Sequence, residues 1–184
     1  MAGFDFRRTE GGQTAGEIRP FIIANSQTST IGDMVTLVSG FSTLALAGVR
    51  IVGCVVGFKK DLGNGQIVPL GLDAAGIISG TRSGNAGVVG SDTVAVASDN
   101  QTVDKVVAMV MVDPRAEYFN DANGSLSGAD IGKYFDIVAA SDQIDQSTAT
   151  NTYSAQMVCV KVNPDNDADL SKGIFRVVEH SWTA

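Results

Sequence analysis

The chain has 184 residues, 44% of them hydrophobic and 18% charged, with 21 glycines, 4 prolines and a formal net charge of −7. That length supports a real core, and that balance excludes a disordered tail. The acidic excess, with no basic cluster beyond Arg7-Arg8 and Lys59-Lys60, argues against direct nucleic-acid binding.

Residues 1–19 read as an extended N-terminal arm. They are polar and glycine-rich, and Phe4 and Phe6 alternate with Asp5 before Arg7-Arg8. Two apolar anchors and two cations suit a segment that is ordered by a neighbour. The start "MAGFDFRRTEGG" has no apolar signal core and does not read as a secretory leader. From residue 20 to 184 one β domain is expected, with a soft boundary near Pro114.

The β domain opens with the apolar runs "FIIAN", "GDMVTLVSG", "FSTLALA" and "RIVGCVVGFKK". The most hydrophobic stretch, Leu44–Phe58, is too short to span a bilayer comfortably and is interrupted by Arg50 and three glycines, so it reads as buried strand. Asn64-Gly65 is a type I′ turn signal and predicts a hairpin between Arg50–Lys60 and Gln66–Leu70. The glycine-rich "SGTRSGNAGVVGSD" lacks the Gly-Lys-Ser/Thr of a phosphate loop, and no helix follows it; it reads as a flexible surface loop between strands.

"DKVVAMVMVDP" is a strand ended by Pro114, which bars Asp113 from helical geometry. In the segment that follows, Asp121, Asn123 and Ser125 alternate like calcium ligands. Leu126 and Gly132, however, stand where an EF-hand needs Gly and Glu, so no metal site is assigned. Asn123-Gly124 predicts a tight turn. Ser127 can cap one helical turn with Asp130 three residues on, and Gly132 can release the chain into "KYFDIV".

Further on, "AQMVCVKV" predicts a strand with Val158, Val160 and Val162 on its buried face and Met157, Cys159 and Lys161 on the other. "NPDNDAD" reads as a turn. Cys54 and Cys159 lie in apolar runs and read as buried small hydrophobes, with a disulfide possible but not needed. The lone His180 has no neighbouring motif, and no Gly-x-Ser-x-Gly elbow exists. The matches to a glycosylation pattern at Asn100 and Asn123 mean little without a leader. No helical stripe persists beyond two turns, and no internal repeat is convincing. Strand-like runs recur at the spacing of a sandwich or barrel. The fold expected is all-β: a short-stranded antiparallel β-sandwich or barrel with an extended N-terminal arm and at most one or two short helical turns.

Three segments carry a resemblance, in the same order along the chain: "GDMVTLVSGFSTLALAGVRIVGCVVG", "VMVDPRAEYFNDANGSLSGADIGKYFDIVAAS" and "VKVNPDNDADLSKGIFRVVEHSW". Together they resemble the capsid decoration (cement) proteins of tailed bacteriophages. The resemblance implies a non-enzymatic structural virion protein on the outer surface of an icosahedral head. It would be a homo-oligomer, with a trimer favoured, bracing major capsid proteins and using no cofactor. Phe4, Phe6, Arg7 and Arg8 are the expected capsid or subunit contacts. The alternative is a glycan- or receptor-binding β module of a head fibre or adhesin, weakened by the scatter of Trp182 and the three tyrosines. An enzyme using acids near Asp113–Asp136 ranks last.

Overall fold

The computed structural model describes residues 4–9, 16–61, 67–69, 81–82, 85–87, 93–96, 98–102, 105–138, 143–153, 155–164, 166 and 170–178. The strands are β1 (Asp5–Thr9), β2 (Ile18–Ile22), β3 (Thr28–Thr30), β4 (Met34–Val38), β5 (Phe41–Leu44), β6 (Gly53–Asp61), β7 (Ile67–Pro69) and β8 (Thr81–Arg82). They continue with β9 (Asn85–Gly87), β10 (Thr93–Ala95), β11 (Val106–Met111), β12 (Ala116–Asp121), β13 (Tyr134–Ile137), β14 (Ile144–Thr150), β15 (Met157–Val162) and β16 (Lys172–Val177). A single 3-10 turn, Gly128–Asp130, interrupts them among the described residues. The expected all-β class is what the chain adopts, and its named strand ladders are antiparallel.

Among the described residues two six-stranded sheets form two lobes, and β3, β10, β9 and β8 form a smaller third sheet. Lobe one follows the order β2-β11-β6-β4-β5, with β7 beside β6. A parallel bridge between Ile23 and Ser42 brings β5 back to β2. Lobe two follows β12-β16-β15-β13-β14, with β1 added outside β12, and a parallel bridge between Ala122 and Ile144 closes it the same way.

The two orders are one topology used twice. Gly32 N–H donates to Val55 O and Val55 N–H to Asp33 O; in lobe two Gly132 donates to Cys159 O and Cys159 to Lys133 O. Met34 faces Cys54 as Tyr134 faces Val158. A bulge falls after Val55 in β6, and one falls after Cys159 in β15. Ala24 N–H donates to Ser42 O as Asn123 donates to Ile144 O. The absence of an internal repeat is therefore corrected: the repeat lies in hydrogen-bond register. At matched sites, Val35 answers to Phe135 and Val110 to Phe175, so shape is kept while residue identity is lost.

Each lobe has its own interior. Ile23, Val35, Val55, Val106, Ala108, Val110 and Val112 fill lobe one, joined by Val94 and Val96 from β10 and its flank. Phe135, Ile137, Ile144, Met157, Cys159, Phe175 and Val177 fill lobe two. Strands buried on both faces explain the near-continuous apolar runs. While Val55 points into lobe one, Met34, Cys54 and Met111 point outward and join the core cluster of lobe two.

Local signals fare unevenly. β6 and β7 pair as the predicted hairpin, while Asn64-Gly65 itself lies outside the described residues. Ser39 (φ 53°) and Gly40 (φ 85°) form a two-residue left-handed turn between β4 and β5, of the kind that matches strand twist. The Asn123-Gly124 prediction is corrected, because neither residue has positive φ. Instead Asn123 Oδ1 accepts from Gln146 N (2.8 Å) and its Nδ2 donates to Asp145 Oδ1 (3.2 Å), tying β12 to β14.

The buried face of β15 is also corrected. Met157 and Cys159 are buried, Val158 and Val160 are half-buried, and Lys161 is exposed. The bulge after Cys159 resets the alternation, so Val162 turns inward behind it. Part of the glycine-rich segment is strand, since β8 and β9 pair and extend the β3-β10 sheet.

Candidate interaction surface

The structure brings little chemistry together. Among the described residues no group of three His, Cys, Asp or Glu side chains could hold a metal ion. Asp121 and Ser125 flank Asn123, but the Asn123 amide is committed to β14. His180 and Trp182 lie outside the described residues. A hollow lined by Ile23, Ser29, Val35, Ser42 and Leu44 is too narrow for a water molecule. Asn100 is 0% exposed, so it is no glycan acceptor. Its Nδ2 donates to Ile23 O (2.7 Å) and its Oδ1 accepts from Val106 N (2.8 Å).

What the structure builds is a junction between lobes. Phe4 is 3% exposed and meets Tyr118 edge-on at 6.4 Å. Its N–H donates to Gly32 O (2.9 Å) in lobe one, and its C=O accepts from the Cys54 thiol (3.5 Å). The next residues, Asp5–Thr9, are β1 and pair with β12 in lobe two. This segment therefore crosses the seam and touches both halves. Phe4, expected as a contact for another protein, is a core residue here. Phe6, Arg7 and Arg8 lie on the β1 backbone, and their side chains lie outside the described residues.

Gln156, 0% exposed, is the second tie. Its Oε1 accepts from Ile137 N (3.0 Å) in lobe two, and its Nε2 donates to Leu46 O (2.8 Å) and Val49 O in lobe one. The loops it joins carry the exposed apolar side chains Leu46, Val49 and Tyr153. Tyr153, 63% exposed, is held in place: its ring packs edge-on against Tyr134 at 5.3 Å and its hydroxyl donates to Val178 O (2.7 Å). A fixed, amphipathic, exposed ring is the kind of side chain that protein contacts use. Sequence reading missed Gln156, because a lone glutamine carries no spacing signal.

Ionisable groups near the seam serve the scaffold. Tyr118 donates to Met111 O (3.3 Å), and burial, with Cys54 and Asp113 adding to it, pushes its hydroxyl well above the ordinary tyrosine range. Asp113 accepts from Arg115 N (2.9 Å) and pairs with its guanidinium (3.3 Å), fixing the turn at Pro114. Asp130 accepts from Lys133 Nζ (2.9 Å), Ser127 N (2.8 Å) and Ser127 Oγ (2.9 Å). The Lys133 bond leads in holding its carboxyl below the usual aspartate range, with the Ser127 bonds assisting.

Comparison with protein-family models, with curated proteins and with solved structures returned no match.

Proposed function

We propose that the protein is a structural virion protein, without enzymatic activity, that binds the outer surface of an icosahedral phage head. There it stabilises the shell by bridging major capsid proteins. The observation that carries this reading is the resemblance, joined to where its segments fall. "GDMVTLVSG" and "ADIGKYFDIV" supply the same strand and its lead-in turn in the two lobes. A doubled β scaffold with a fixed, exposed Tyr153 and the exposed apolar Leu46 and Val49 suits action by buried contact, multiplied by copy number and symmetry.

In this reading Phe4 anchors β1, and Phe6, Arg7 and Arg8 are the proposed capsid or subunit contacts. The protein works as a homo-oligomer, a trimer being favoured, and needs no cofactor. The test is sedimentation of purified protein with heads that lack their decoration protein. Stoichiometric retention with raised head stability is the expected result, and absence of binding rejects the proposal.

A further inference from the structure

We propose that two copies of the chain join edge to edge through β2, antiparallel about a twofold axis at Ile18. This inference stands apart from the capsid reading and requires nothing of what the joined copies bind.

The first observation is the direction of the β2 main chain. Val112 N–H donates to Glu17 O, and Ile23 N–H donates to Val106 O. In an antiparallel ladder alternate residues bond the same neighbour, so Glu17, Arg19, Phe21 and Ile23 bond β11. Ile18, Pro20 and Ile22 then turn their main-chain groups the other way. Ile22 O is met there by the Ser42 hydroxyl at 3.3 Å. Beside Ile18 and Pro20 no described strand lies, and Ile18 is 45% exposed.

The internal repeat supplies the second observation. Ile18 faces Met111 in lobe one as Glu117 faces Arg176 in lobe two. Along the matching edge of lobe two, β1 is paired antiparallel, with Arg8 opposite Glu117. The fold therefore takes an added strand at this place in one lobe, while among the described residues no strand covers the same edge in the other.

The third observation is self-complementarity. Glu17 and Arg19 are both exposed and form an ion pair at 2.5 Å within one chain. Centred on Ile18, antiparallel pairing sets Glu17 of each copy opposite Arg19 of the other, giving two cross-strand ion pairs. The two Ile18 residues exchange N–H and C=O, and Gly16 N–H reaches the opposing Pro20 C=O. Pro20 has no N–H, which removes one bond on each side and disfavours registers that need a donor there. Each edge consumes the other, so the contact closes and does not propagate into fibres.

Light scattering across a dilution series tests this on the full chain. The expected result is a mass that doubles with concentration. Ile18→Pro removes the outward donor together with a half-exposed side chain and costs no bond to β11, so it should halve that mass while leaving the far-UV spectrum unchanged. Glu17→Arg should weaken the association about tenfold, the scale of losing two exposed ion pairs. Adding Arg19→Glu to it should restore the wild-type affinity. Both charge changes are on exposed side chains, so they remain informative if Ile18→Pro folds poorly. A mass that does not change with concentration overturns the proposal, as does association indifferent to Glu17→Arg. Failure of the double exchange to recover overturns the Ile18 register.

Discussion

At single residues the scaffold tolerates least where main chain meets main chain. A Cβ on Gly53 would lie 2.0 Å from Met111 O, whereas one on Gly57 in the same strand meets nothing within 4 Å. Gly53→Ala should therefore destabilise by about 1–3 kcal/mol, the usual cost of overpacking. Gly57→Ala should stay within about 0.5 kcal/mol of wild type in the same urea melts, because the added methyl meets open space. Asp130 gives a pH-dependent counterpart. Its folded pKa lies below the unfolded value, so its stabilising effect is fully present above the ordinary aspartate pKa of about 3.9 and is lost as pH falls through the folded one. Asp130→Asn should lower the melting temperature at pH 7. The gap to wild type should narrow as both are acidified; a gap constant down to pH 2 would contradict this sign. Neither cysteine is in a disulfide and both are buried, and burial pushes the Cys159 thiol up to about 12. Neither should react with a thiol reagent until the chain unfolds.

At the level of elements, legibility followed the range of the interaction. Ser127, Asp130 and Gly132 act within a few residues of one another, and the sequence disclosed them: Asp130 accepts from Ser127 and Gly132 takes φ 83°. β15 misled because a bulge, set by pairing with β16, reverses the facing of Lys161 and Val162. Asn123-Gly124 has the composition of a hairpin turn, but its side chain bonds β14 from across the lobe. The true two-residue turn, Ser39-Gly40, sat between two apolar runs and went unmarked. The junction was the least visible part. Gln156 binds three main-chain groups on two lobes, and nothing in "SAQMVCV" distinguishes it. Gln156→Leu keeps much of the volume but orphans the Ile137 N–H and the Leu46 and Val49 carbonyls. It should cost about 3 kcal/mol by chemical denaturation, the upper end for stranding buried polar groups. A change below about 0.5 kcal/mol would mean that the tie is incidental.

For the whole molecule, the repeated topology raises the question of whether the lobes fold as two units or one. Separate interiors argue for two, since the valines of lobe one and the aromatic-rich centre of lobe two are distinct clusters. The seam argues for one. Met34, Cys54 and Met111 leave lobe one to join the lobe-two cluster, Phe4 bonds Gly32 and packs on Tyr118, and Gln156 fastens the far loops. Opening either lobe alone would expose that shared apolar surface and strand the buried groups of Gln156, a cost comparable to the whole stability of a domain this size. A single cooperative transition is therefore expected. Under native conditions the slowest amides of β6 and β11 should exchange hydrogen with the same opening free energy as those of β15 and β16. Phe4→Ala should cost about 3–5 kcal/mol, as loss of a buried phenylalanine does, and the slowest amides of both lobes should lose protection equally. Loss confined to lobe two, with lobe-one amides unmoved, would show that β1 belongs to one lobe only and that the halves are thermodynamically separate.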